Sequence, residues 1–347
     1  MTLMPFSAPH THNKSSTRWV MQQVILACIP AILTLSYFFG LGVLLNILLA
    51  CSSALLAEAL VLKLRKRSFA PLQDYSALLT GLLLAVCLPA SAPWWIPVSG
   101  ALFALLVGKH LFGGLGQNPF NPAMTAYAFL LISFPLPMTL WPLPYGVEDL
   151  SWLNSLQGTD AITGATALDA WRNKGTLMAE EFWQATRSIN PAAFINPITF
   201  NPAMLQASGY IALAWLLGGS YLVAKRLINW QLPLAFFATL LVFSAFLWGI
   251  DTSHYAAPWL HFAAGSAVFA AFFILTDPAS GATSVKGRIY FAIGAGLLVI
   301  SIRTWGSYPD GIAFAVLLMN FAAPALDYVT RPRVYGHKKC RDIKNDT

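Results

Sequence analysis

Apolar residues run along this chain in stretches of about twenty, separated by short polar or basic breaks. A helix that crosses the hydrocarbon layer of a membrane needs about 20 mostly apolar residues. The pattern predicts ten such helices, near 20–38, 41–62, 75–92, 94–112, 122–140, 209–228, 231–250, 257–276, 288–305 and 311–328. Two fit the template least well: 94–112 ends in Lys109 and His110, and 231–250 is short. One interruption is long. Residues 141–208 are polar and rich in small residues, and they close on the steps Asn190-Pro191, Asn196-Pro197 and Asn201-Pro202. Such steps favour extended or turn structure, and a connection of this length is functional or disordered.

Composition agrees with the pattern. Of 347 residues, 57% are hydrophobic and only 10% charged, and the mean hydropathy is +0.61. Soluble domains average about 25% charged residues, so too few charges remain to cover a water-facing surface. An ordinary soluble enzyme, a disordered chain, a coiled coil and a collagen are excluded. The fold class expected is an all-α polytopic membrane protein. The net charge of +7 does not point to nucleic acid, because the charges sit in clusters between apolar runs. With both termini placed in the cytoplasm, 17 of the 21 Lys and Arg face inward, leaving only Arg172, Lys174, Arg187 and Arg303 outside. This is the bias that orients membrane proteins, and it puts 141–208 outside. The cysteines Cys28, Cys51, Cys87 and Cys340 form no CxxC pair, so neither a metal cluster nor disulfides are indicated. His10, His12, Lys14 and Arg18 precede the first run without a convincing cleavage site, which reads as an uncleaved anchor.

The two halves resemble each other. Pro89-Ala90-Ser91 and Pro278-Ala279-Ser280 each end a run, and each is followed by one more span and a Gly/Pro break. Pro89 to Pro119 is 30 positions and Pro278 to Pro309 is 31. Ala128-Phe129 and Ala313-Phe314 follow the breaks. An odd number of spans per unit would insert the second unit upside down, the inverted-repeat plan of many transporters. The division expected is a five-helix repeat over 1–140, an external loop over 141–208, a second five-helix repeat over 209–328, and a basic cytoplasmic tail over 329–347. Glycine and proline punctuate any membrane helix, so the same breaks also fit a chain without a repeat.

Candidate chemistry is concentrated in the loop. Asp160-Ala161-Ile162-Thr163-Gly164-Ala165-Thr166 sets a threonine hydroxyl among small residues. An open hydroxyl can attack an activated phosphate when another protein supplies base and metal. The same residues also read as a turn, or as the N-cap of a helix starting at Ala167. Asp277-Pro278-Ala279-Ser280-Gly281-Ala282-Thr283 repeats the pattern, but the charge bias puts Thr283 inside. Gly114, Gly116, Asn118 and Asn121 border the fifth span, where free N–H groups could meet a polar ligand; a packed helix break is the other reading. Glu58 lies five positions before Lys63 near the inner surface, where it would snorkel or pair. No carboxylate lies convincingly at a midplane, so any ion path is expected to involve partner subunits or moving interfaces.

The stretch 160–166 resembles the flavinylation motif Asp-x-x-Ser/Thr-Gly-Ala-Thr of the membrane B and D subunits of redox-driven ion pumps. The break Gly113-Gly114-Leu115-Gly116-Gln117-Asn118-Pro119-Phe120-Asn121-Pro122-Ala123 is similar to that family's, as are the segments 308–318 and 327–337. The last two look most like the D subunits of the Rnf, or Rsx, complex. The resemblance covers nearly the whole chain. It implies covalent FMN attached by a separate flavin transferase through a phosphoester at Thr166, with Asp160, Thr163, Gly164 and Ala165 forming the motif. It also implies residence in a bacterial inner membrane beside other membrane and peripheral subunits, and electron flow between NADH and ferredoxin-type acceptors coupled to ion transport. B-type members hold a second, non-covalent flavin, which makes riboflavin the ligand to expect around Gly114, Gly116, Asn118 and Asn121. The rival readings are the B subunit of sodium-translocating NADH:quinone reductase, which has a longer N-terminal extension, and a urea-transporter-like solute channel without a redox group.

Overall fold

The computed structural model describes residues 16–144, 163–164, 166–172, 202–308 and 310–331, and over these the chain is overwhelmingly helical. Helices α1 (Thr17–Phe39) and α2 (Leu41–Leu64) precede a 3-10 turn at Ala70–Asp74. Then come α3 (Ser76–Ala85), α4 (Trp95–His110) and α5 (Pro122–Ser133). The short α6 (Pro135–Thr139) leads to strand β1 (Trp141–Pro142), which pairs antiparallel with β2 (Thr163–Gly164). After α7 (Ala167–Arg172) the second half holds α8 (Pro202–Ala224), α9 (Gln231–Ile250), α10 (Pro258–Ala263), α11 (267–274), α12 (Val285–Trp305) and α13 (Ile312–Val329).

Among the described residues, six helices are long and apolar enough to cross a membrane: α1, α2, α8, α9, α12 and α13. The run 231–250, expected to be marginal, is a full helix of 20 residues. The other four predicted spans are shorter or broken. Helix α3 stops at Ala85, well before the expected end at 92. Helix α5 stops at Ser133 instead of 140, because Pro135 disfavours helical backbone at Phe134, which sits at φ −135° and ψ 60°. The run 257–276 divides into α10 and α11 around Gly265, whose φ is +89°. That left-handed conformation suits glycine and few other residues. Both α4 and α11 contain π-helical stretches, at Ala104–His110 and Ala270–Ile274. Such stretches are frequent at functional sites.

The packing repeats between the halves. Helix α2 packs on α4 as α9 packs on α12, and α4 packs on α5 as α12 packs on α13. The halves meet through α1 against α8 and α5 against α13. At the α1–α8 crossing a Cβ on Gly218 would lie 2.1 Å from the Ala27 carbonyl oxygen. The backbones touch there, which is how small residues let helices associate in lipid. Leucines and phenylalanines such as Leu33, Leu48, Leu56, Phe246 and Phe321 face outward, as a lipid-facing surface requires. A second, small core of Leu168, Ala170 and Trp171 against Ala256, Leu260 and Ala264 seats α7 on the α9–α11 connection.

Candidate functional site

Two cavities lie at opposite ends of α9 and α12. The smaller, about 120 Å³, is lined by Leu247 and Arg303, and the larger, about 260 Å³, by Leu232 and Arg288. On a helix, the 15 positions from Leu232 to Leu247 span about 22 Å, so the two sites lie toward opposite ends of these helices.

Thr166 belongs to the end with the smaller cavity. Thr163 and Gly164 are held by the β1–β2 pairing, in register with Pro142 and Trp141. Thr166 then caps α7: its Oγ1 accepts from Asp169 N at 3.3 Å, and its carbonyl accepts from Ala170 N at 2.8 Å. The N-cap reading of the motif is therefore correct for Thr166. Asp160 and Ala165 lie outside the described residues. The neighbouring cavity is walled by Leu168, Trp171, Arg172, His254, Tyr255 and Arg303, among others. Arg303 is buried and pairs with Asp310 through Nη2 to Oδ1 at 3.1 Å, and its Nη1 donates to the His261 carbonyl at 3.0 Å. Asp310 Oδ2 also accepts from Ser266 N and Oγ, which fixes the Gly265 break in place. At the end of α9 the Ser253 hydroxyl and N–H donate to Asp251 and hold its carboxyl below the ordinary carboxylate range.

The larger cavity gathers residues from both halves, among them Lys109, Asn118, Asn121, Phe272 and Asp277. Asn118 and Asn121, predicted from the Gly/Pro break, both line it. Asn118 is 3% exposed, donates from Nδ2 to the Phe120 carbonyl, and leaves its Oδ1 without a partner. Asn121 behaves differently from expectation. Its Oδ1 accepts from Ala123 N at 3.0 Å and Met124 N at 3.2 Å, so the first turn of α5 is capped by the chain itself and those N–H groups are not free for a ligand. With the Asn320 amide turned so that its oxygen meets a donor, Asn121 N donates to it at 3.0 Å and the amide nitrogen donates to the Ser280 carbonyl at 3.2 Å. Gly114 and Gly116 do not line the cavity. They carry φ of +117° and +81° with open space around them, and Leu115 between them reaches the wall.

The second copy of the motif is committed to structure. Asp277 accepts from Ser280 Oγ and Ala279 N. Asp327 accepts from Thr283 N and Ser284 N, and the Ser284 hydroxyl caps α12 at Gly287 N. Glu58 pairs, one of the two outcomes expected of it, but it is 1% exposed and its partner is Lys109 at 2.5 Å. The signal for it was the basic residue Lys109 at the end of an apolar run.

Residues 5–336 match the sequence model of the NQR2, RnfD, RnfE family. The chain is 47% identical over 345 residues to the D subunit of the ion-translocating oxidoreductase complex of Ectopseudomonas mendocina, covering 98% of this chain and 97% of that protein. It is 45% identical over 356 residues to the protein of the same name from Shigella dysenteriae serotype 1 (96% and 98% covered). It is 46% identical over 346 residues to the one from Pseudomonas aeruginosa (98% and 97%).

Proposed function

Because the chain belongs to the NQR2, RnfD, RnfE family, we propose that it is the subunit that carries electrons through FMN bound as a phosphoester to Thr166. At the coarser level, it is a multi-pass membrane subunit of an ion-translocating oxidoreductase complex and serves electron transport coupled to ion translocation. The observation that carries the finer reading is the presentation of Thr166, which stands between a strand pairing and a helix start on the long connection. A transferase could reach such a hydroxyl. The protein then sits in a bacterial inner membrane with both termini in the cytoplasm, and the Thr166 end faces outward, as the Lys/Arg bias requires. Near-full-length similarity to proteins named as D subunits favours that role over the B subunit of sodium-translocating NADH:quinone reductase.

The larger cavity suits a second, non-covalent flavin such as riboflavin. Its volume of about 260 Å³ accommodates a three-ring system, and its wall mixes apolar faces with Asn118, whose buried oxygen lacks a partner. Polar groups at a few fixed points in an apolar pocket are what orient such a ligand. The flavin supplies the redox chemistry, and the protein supplies position and electrostatics. Co-expression with a flavin transferase, purification and a visible absorption spectrum test the reading. A flavin spectrum is expected, and its absence would favour a solute channel without a redox group.

A further inference from the structure

The charges around the larger cavity are arranged asymmetrically. Lys109 is 3% exposed and comes from the π stretch of α4, while Phe272 and Phe273 come from that of α11. All three line the cavity. The Lys109 ammonium donates to Glu58 Oε1 at 2.5 Å and to Ser76 Oγ at 2.8 Å. Ser76 in turn donates to Asp74 Oδ1 from both its hydroxyl and its N–H. Lys109 and Ser76 stand in the cavity wall, whereas Glu58 and Asp74 do not. The positive member of the ion pair thus belongs to a residue of the cavity wall, and the negative member to a residue outside it. The other charges of the wall are Asp277, held by Ser280 Oγ and Ala279 N, and Arg288, whose Nε donates to the Ala282 carbonyl.

We propose that Lys109 sets the charge environment of this cavity, favouring the reduced form of the flavin that occupies it. The inference rests on the cavity reading given above and adds a role to this chain's own residue. Reduction of a bound flavin by a reduced iron–sulfur or flavin centre of a partner subunit would leave one added negative charge on the ring where no proton accompanies the electron, and that charge is what the ammonium would favour. The Lys109 ammonium stays bound to Glu58, and no bond to the ring forms or breaks. In a low-dielectric cavity a nearby unit charge acts far more strongly than in water. A neutral wall would hold the added charge poorly. Glu58 compensates the buried ammonium from behind, since a buried charge without a partner is costly.

The test is a redox titration of the non-covalent flavin, followed by visible absorption, in full-length purified protein carrying Thr166→Ala so that the covalent flavin is absent. Lys109→Gln is expected to lower the midpoint potential. At the potential where the parent is half reduced, the oxidised-to-reduced ratio should rise about tenfold, the order expected of one nearby charge at a protein-like dielectric. Lys109→Arg should stay close to the parent. Lys109→Gln leaves Glu58 unpaired and can fail to fold, so the double variant Glu58→Gln/Lys109→Gln is measured beside it. Removing both members of a buried pair is well tolerated, yet the ammonium is gone and the potential should still fall. Retained flavin with an unchanged potential in the double variant overturns the inference while leaving the cavity reading intact. A Thr166→Ala protein with no bound flavin at all overturns both.

Discussion

Thr166 and Thr283 share one seven-residue pattern, and the side of the membrane assigned by the charge bias is what separates them. Thr166 is half-buried and its hydroxyl accepts one long cap bond of 3.3 Å, whereas Thr283 is exposed and its N–H is tied to Asp327. Thr166→Ala should abolish flavin fluorescence in a denaturing gel, cost about 1 kcal/mol for the lost cap, and leave membrane insertion intact. Thr166→Ser should retain some labelling, and Thr283→Ala should leave the band unchanged. A band that persists in Thr166→Ala and disappears in Thr283→Ala reverses the assignment. Asn118 and Asn121 were legible in the sequence because asparagine beside glycine and proline marks a helix break. Which Asn would cap and which would keep a free oxygen was not, since that depends on backbone angles set by packing. That Glu58 pairs was legible, but its partner was not, because that partner lies 51 positions away and local spacing shows only Lys63.

At the level of elements, six of the ten apolar runs fold as helices long enough to cross a membrane among the described residues, and the other four are shorter or broken. An apolar run does not disclose where its helix stops when neighbouring protein, not lipid, surrounds the break. Gly265 illustrates this. A Cβ there would sit 2.7 Å from Leu168 Cδ1 and 2.9 Å from Arg303 Nη2, and its φ is +89°. Gly265→Val should therefore destabilise the α10–α11 break by about 1–3 kcal/mol from backbone strain alone, and loosen α7. Limited proteolysis of the 141–208 connection should accelerate in the variant; an unchanged cleavage rate would show that α7 does not depend on that break. The Arg303–Asp310 pair holds the same region. Arg303→Met should cost about 3–5 kcal/mol by leaving Asp310 uncompensated, and Arg303→Met/Asp310→Leu should recover much of it. Thermal unfolding of the purified variants measures both, and a double variant no better than the single would assign the loss to packing.

Across the whole molecule, two packing pairs, α2 on α4 with α9 on α12 and α4 on α5 with α12 on α13, recur between the halves. If each half crosses five times, the second is inverted and the two cavities open on opposite sides of the membrane. Reporter fusions at positions 160 and 347 should then report outside and inside respectively. A cytoplasmic reporter active at 160 would remove the charge-based reason for preferring Thr166. The central claim, a flavin covalently held at Thr166, is tested most directly by peptide mass spectrometry of protein purified from cells that contain the transferase. The account predicts that the peptide containing Thr166 gains the mass of FMN less one water and fragments to a modified threonine at that position. An unmodified Thr166 peptide, with the increment on the peptide containing Thr283 or on none, would contradict it.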